Sequence, residues 1–203
     1  MESGRLALVH SALRLSYFTV AWNGVVGVAA LIAAIISGST ALIAFALSAL
    51  LDASASAVLI WRFREERSDP EAAERLERHA QTWIVVAMLA TATYVGAQAT
   101  RALIAGDHPE ASTLGATLAV ASLLVLPWLA RLKLRVAAGL ASQALRGDGI
   151  LTAAAAALAA ITLAALIVNS ALEWWWADPC AALLIAAALA SEAIRVAVRH
   201  RFG

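Results

Sequence analysis

The chain has 203 residues, of which 62% are hydrophobic and 14% charged, with a formal net charge of +1. A soluble domain averages roughly 45–50% apolar and about 25% charged, so a water-solvated globule is excluded, and a near-neutral chain offers no broad surface to nucleic acid. A single cysteine, Cys180, leaves neither an intrachain disulfide framework nor a cysteine-rich metal site.

Arg5 and Arg14 precede a long apolar run rather than a short one ending in a small-residue cleavage site, so no cleavable signal peptide is expected. That first run covers 15–36 and stops at Ser37-Gly38-Ser39. A second covers 41–61. A stretch from Arg62 through Pro70 to Arg78 mixes both signs of charge at helical spacing and reads as a solvated loop or short helix. The third run covers 83–104, and Gly106-Asp107-His108-Pro109 makes an exterior turn. The fourth covers 112–129 and is closed by Arg131-Leu132-Lys133-Leu134-Arg135. The fifth and sixth cover 140–168 and 180–198, linked by 169–179.

About 20 consecutive apolar residues cross a hydrocarbon core roughly 30 Å thick, and inside it every backbone polar group must be satisfied within its own segment, so each run is a helix. The fold expected is therefore all-α: one polytopic domain over 1–203 with six transmembrane helices. Arginine and lysine set its orientation. They gather at the N-terminus, between the second and third runs, after the fourth and in the tail, whereas the opposite side has only Arg101. Both termini are thus expected in the cytoplasm. Trp174-Trp175-Trp176 would sit in an outer aromatic belt, with Trp61 and Trp83 at inner boundaries.

Charged groups inside a span cost about 2.5–3.5 kcal/mol at a helix centre and face a partner or a cavity. Asp52 lies about halfway down the second run, and Ser48 one turn earlier shares its face. Asp148 lies near the inner end of the fifth run, with Thr152 one turn beyond. The second run heads inward and the fifth outward, so their cytoplasmic halves each carry an aspartate that could meet if the helices pack together. Two carboxylates with hydroxyls supply hard oxygen ligands for a divalent cation, or a proton-binding pair. Asp148 could instead pair with Arg146 or cap its helix, and Asn23 in the first run could reach the same cavity. Asp107, His108, Glu173 and Asp178 read as solvated exterior charge, and Glu192 as snorkelling or paired with Arg195. Ser39-Thr40-Ala41-Leu42 and Ser142-Gln143-Ala144-Leu145 open the second and fifth runs alike, which hints at a duplicated three-span unit.

With these residues in view, the chain resembles the transmembrane domain of the cation diffusion facilitator (cation efflux) family. The resemblance rests on Gly38-Ser-Thr-Ala-Leu-Ile-Ala44 leading to Asp52, on Ser142-Gln-Ala-Leu-Arg-Gly-Asp148, and on Trp174-Trp-Trp-Ala-Asp178-Pro-Cys-Ala-Ala-Leu-Leu-Ile185. Gly106-Asp-His-Pro109 and Leu126-Pro-Trp-Leu-Ala-Arg-Leu-Lys133 look like its short branch, without the cytoplasmic C-terminal domain. The resemblance implies a metal/proton antiporter, homodimeric, that moves divalent cations against protons across a lipid bilayer, with no bound cofactor and no enzymatic activity. The family's ligand positions match Ser48, Asp52, Leu151 and Ala155, of which only Asp52 carries a carboxylate here, so the four-ligand zinc site is altered.

The function expected is divalent metal cation efflux, with Asp52 binding metal or proton, Asp148 a second carboxylate or a residue on the ion's way in, and Ser48 and Thr152 giving oxygens. The alternative is a transport-inactive relative acting as a membrane scaffold or partner subunit. Alanine-rich, lysine-poor composition suggests a bacterial origin and so the plasma membrane.

Overall fold

A computed structural model describes residues 2–65, 70–106 and 112–202. Residues 66–69, within the charged linker, and 107–111, which hold most of the exterior turn with Asp107 and His108, lie outside the described residues. The described chain is helical: α1 Glu2–Ser37, α2 Thr40–Glu65, α3 Pro70–Ala105, α4 Thr113–Leu140, α5 Gln143–Leu172 and α6 Ala177–Phe202. Among the described residues, α1, α2, α4, α5 and α6 contain stretches long and apolar enough to cross a membrane. The apolar part of α3 is interrupted by Thr91, Thr93, Gln98, Thr100 and Arg101.

The helices outrun the apolar runs. At 1.5 Å per residue, the 36 residues of α1 span about 54 Å, well beyond the hydrocarbon core. Two such extensions matter for the site. Residues 131–135 do not close α4; the helix continues to Leu140 and ends at Ala141, whose φ of 51° is the left-handed C-cap conformation that glycine usually supplies. Likewise α6 begins at Ala177, so Asp178 and Pro179 belong to its first turn rather than to a loop.

The breaks between helices are chemically marked. Ser112 caps α4 and accepts from the Gly115 N–H, Ser142 caps α5 and accepts from the Leu145 N–H, and the Ser39 hydroxyl accepts from the Leu42 N–H at the start of α2. The paired sequences at 39–42 and 142–145 thus share a capping role, which accounts for their likeness locally.

Short connections at 38–39 and 141–142 make α1 and α2, and α4 and α5, antiparallel neighbours. Helix α1 packs on α2, α4 on α5, and α3 on α6, while α2 also touches α3, α5 and α6 and so occupies the middle of the bundle. Small residues let the axes close up. A Cβ on Gly27 of α1 would come within 2.8 Å of Leu50 on α2, so only glycine fits there. The core is built largely of alanine with fewer large side chains, among them Leu42, Phe45, Leu126, Leu129, Leu145 and Ile185.

Candidate functional site

Four helices bring polar side chains to one place. Helix α2 presents Ser48, Asp52 and Ser56 at successive turns of one face, α5 presents Asp148 and Thr152, α4 presents Lys133 and α1 presents Asn23, all buried. Helices α4 and α5 meet closely because residue 149 is glycine: a Cβ there would stand 3.1 Å from Leu134 and 3.3 Å from the Lys133 Cβ.

Lys133 is the sole lysine among 15 basic residues, and it is 0% exposed. Its Nζ lies 2.6 Å from Asp148 Oδ2 and donates hydrogen bonds to Thr152 Oγ1 at 3.0 Å and Ser56 Oγ at 3.1 Å. The Ser56 hydroxyl in turn donates a hydrogen bond to Asp148 Oδ1 at 2.7 Å. An ammonium has three N–H groups, and three oxygens surround this one.

Asp52 has a different environment. Asn23 Nδ2 donates to its Oδ2 at 2.6 Å, while the amide oxygen of Asn23 is buried with no hydrogen-bond partner among the described residues. The Thr152 hydroxyl stands 3.4 Å from both Asp52 oxygens and 3.0 Å from the Asp148 carbonyl, and with one proton to give it is shared between them. Lys133 is paired directly with Asp148, so Asp52 is the carboxylate of the cluster without a direct basic partner.

A cavity of about 250 Å³ opens beside Asp52. Ser48, Asp52, Leu151 and Ala155, the positions that the resemblance implies for ligands, all line it. Leu51, Met88, Leu158, Ile161 and Leu189 make much of the rest, and Glu192 and Arg195 also contribute, paired with each other at 3.4 Å. Its surroundings are therefore mostly apolar, with Asp52 and the Arg195-paired Glu192 as the carboxylates on its wall.

The sequence-predicted residues divide as follows. Asp52, Asp148 and Thr152 join one network, with Thr152 as the link between the two aspartates. Ser48 stays outside that network: its hydroxyl donates to the Phe45 carbonyl at 2.8 Å, although the residue reaches the cavity. Asp148 pairs with Lys133 and not with Arg146, and the cap of α5 is Ser142.

Two charges lie where the sequence did not put them. Lys133 shares a face with Leu126, Leu129, Ala130 and Ala137 and turns inward, whereas its neighbours Arg131 and Arg135 are exposed. Its presence on the inward face, at three- and four-residue spacing from apolar positions, was the available signal. Asp178 is 1% exposed rather than solvated. Its Oδ2 accepts from the backbone N–H groups of Thr40 and Ala41, at 2.8 and 3.2 Å, and from the Thr40 hydroxyl at 2.8 Å, while Oδ1 accepts from the Ser39 hydroxyl. The reason is the set of unsatisfied N–H groups at the start of α2, whose dipole also favours an anion. Asp178 thereby ties the start of α6 to the start of α2.

Among the described residues, no three His, Cys, Asp or Glu side chains are grouped so that they could hold a metal ion between them. The family model of the cation efflux transmembrane domain matches residues 16–201, nearly the whole chain. No curated protein matches it.

Proposed function

The chain belongs to the cation efflux transmembrane-domain family, a family of metal cation transporters, and on that premise we propose that it exports a divalent metal cation by exchange with protons through an altered intramembrane site. The observation that carries this reading is Asp52: a buried carboxylate that no ammonium directly pairs, set on the wall of a cavity and beside Asn23, whose amide oxygen has no hydrogen-bond partner among the described residues. A carboxylate with amide and hydroxyl oxygens is a hard donor set, suited to ions such as manganese or magnesium rather than to zinc held by nitrogen and sulfur. The same carboxylate can hold a proton when the cation leaves, which is what exchange requires.

On this reading Asp52 is the ion-binding residue, Ser48 supplies an oxygen on the cavity wall and Thr152 one beside Asp52, with Asp148 the second carboxylate of the cluster. All six helices span a plasma membrane as one domain, α3 included, with both termini cytoplasmic. Arg14, Arg64, Arg131, Arg135, Arg146 and Arg195 then face the cytoplasm, and Arg101 the outside. The transporter works as a homodimer, without a bound cofactor and without enzymatic activity. Alternating access rocks helices around a fixed midplane site, and α2, which packs against α1, α3, α5 and α6 and meets α4 through Ser56 and Lys133, is the element any such motion must involve.

Cells lacking their own exporters test this. Expression of the protein lowers the accumulated content of the transported metal, and Asp52→Asn, made to the same level in the membrane, abolishes the effect. An Asp52→Asn protein that exports as well as the wild type contradicts the proposal.

A further inference from the structure

The Asp148 side of the cluster already holds a cation. One carboxylate oxygen and two hydroxyls converge on a single point at 2.6–3.1 Å, and that point is the Lys133 nitrogen. The same oxygens, Asp148 Oδ2, Thr152 Oγ1 and Ser56 Oγ, are hard donors of the kind that bind alkaline-earth and manganese ions. The lysine reaches them from α4, is fully buried, and sits against Gly149, where no larger residue fits without displacement. Neither Glu192 nor Arg195, the other charged residues on the cavity wall, is hydrogen-bonded to this cluster; they pair with each other.

We propose that Lys133 is a tethered cation, built into the position a second bound ion would take, which withdraws Asp148 from ion binding and leaves Asp52 as the one carboxylate on the cavity wall without a direct basic partner. In its consequence for selectivity the proposal rests on the transport reading above; the occupancy itself does not. A free divalent ion at Asp52 meets one carboxylate instead of two, and a fixed positive charge nearby repels it. Binding is therefore weak and release easy, which a transporter needs and a storage site does not. Lys133 is thus a specificity-determining residue: it sets the charge of the site without touching the transported ion.

The test is binding of Mn²⁺ to the purified full-length protein in detergent, followed by the loss of the free-ion electron paramagnetic resonance signal. Lys133→Met frees Asp148, Ser56 and Thr152, and Mn²⁺ then binds at least about tenfold more tightly than to wild type. Adding Asp148→Asn to Lys133→Met returns the affinity to within about twofold of wild type, because the gained ligand is gone. Lys133→Gln, whose amide keeps hydrogen bonds to Ser56 and Thr152, is read in the same way where Lys133→Met does not elute as a single folded species. Affinity unchanged by loss of the lysine, or a gain that survives Asp148→Asn, overturns the proposal. The readout needs no transport: absent flux, or flux indifferent to Asp52→Asn, refutes the functional reading and leaves this comparison standing.

Discussion

Lys133 Nζ and Asp148 Oδ2 stand 2.6 Å apart in the interior, on helices α4 and α5 that meet across Gly149. Removing both charges from water is costly, and the attraction between them offsets that cost only with good geometry and further hydrogen bonds. Both conditions hold, because Ser56 and Thr152 complete the shell. Breaking one partner leaves an uncompensated buried charge. Asp148→Ala therefore destabilises the protein by about 3–5 kcal/mol, while the double variant Lys133→Met with Asp148→Leu recovers most of that loss. A double-mutant cycle on thermal unfolding in detergent measures it, and additive losses contradict the coupling.

A second clamp joins the starts of α2 and α6 through Asp178. A carboxylate accepting backbone N–H groups contributes roughly 1.5–3 kcal/mol per charge-assisted hydrogen bond, with some overlap between neighbours. Asp178→Ala should lower stability by about 3 kcal/mol or more, and Ser39→Ala, which removes one of several donors, by about 1 kcal/mol. Thermal unfolding of the two variants side by side checks the ranking; equal effects contradict it.

Ala141 ends α4 in the left-handed conformation, with φ 51°, where a side chain costs roughly 1–2 kcal/mol and glycine almost nothing. Ala141→Gly accordingly raises stability by about 1 kcal/mol. A lowered unfolding temperature would mean that the helix end does not hold that conformation in the membrane.

How much of this was legible in the sequence varies by residue. The apolar runs announced helices because lipid leaves no other way to satisfy the backbone, and Asp52 stood out because a lone carboxylate amid leucine and alanine has to be used for something. Thr152 and Asp148 followed from their spacing on one face. Lys133 was harder. Flanked by Arg131 and Arg135 at the end of an apolar run, it reads as one more cytoplasmic charge, and only the continuation of α4 to Leu140 makes its inward rotation matter. Asp178 was misjudged for a related reason: a residue beside proline and three tryptophans looks like loop, yet it caps another helix, and such a partner 138 residues away in sequence leaves no local pattern.

The cavity wall is also a place where a metal site can be built. Positions 48, 52, 151 and 155 already surround one space, and Asp52 already supplies one ligand. Introducing Ser48→Asp, Leu151→His and Ala155→Asp together should create a site with four nitrogen and oxygen ligands, the number and chemistry tetrahedral zinc prefers. Zinc affinity measured by dye competition is expected to rise by two orders of magnitude or more on rough scaling with added charge. No gain in the triple variant, shown to be folded, would mean that these positions do not converge on a bound ion.

Asn23 positions the carboxylate that the account makes central, through a 2.6 Å hydrogen bond. Asn23→Leu removes that bond and the nearby amide oxygen, and reduces transport about tenfold on the scale of one to two kcal/mol per such interaction, with protein level and unfolding temperature measured in parallel. Transport unchanged by the substitution would separate Asn23 from the ion's path.

The most direct measurement is cation flux into proteoliposomes carrying an imposed proton gradient, recorded together with the internal pH for manganese, magnesium, iron(II), cobalt and zinc, with wild type and Asp52→Asn. Metal/proton exchange at Asp52 predicts uptake of at least one of these ions driven by the gradient, a matching proton movement in the opposite direction, and loss of both in Asp52→Asn. Absence of flux for every ion from correctly inserted, folded wild-type protein would contradict it.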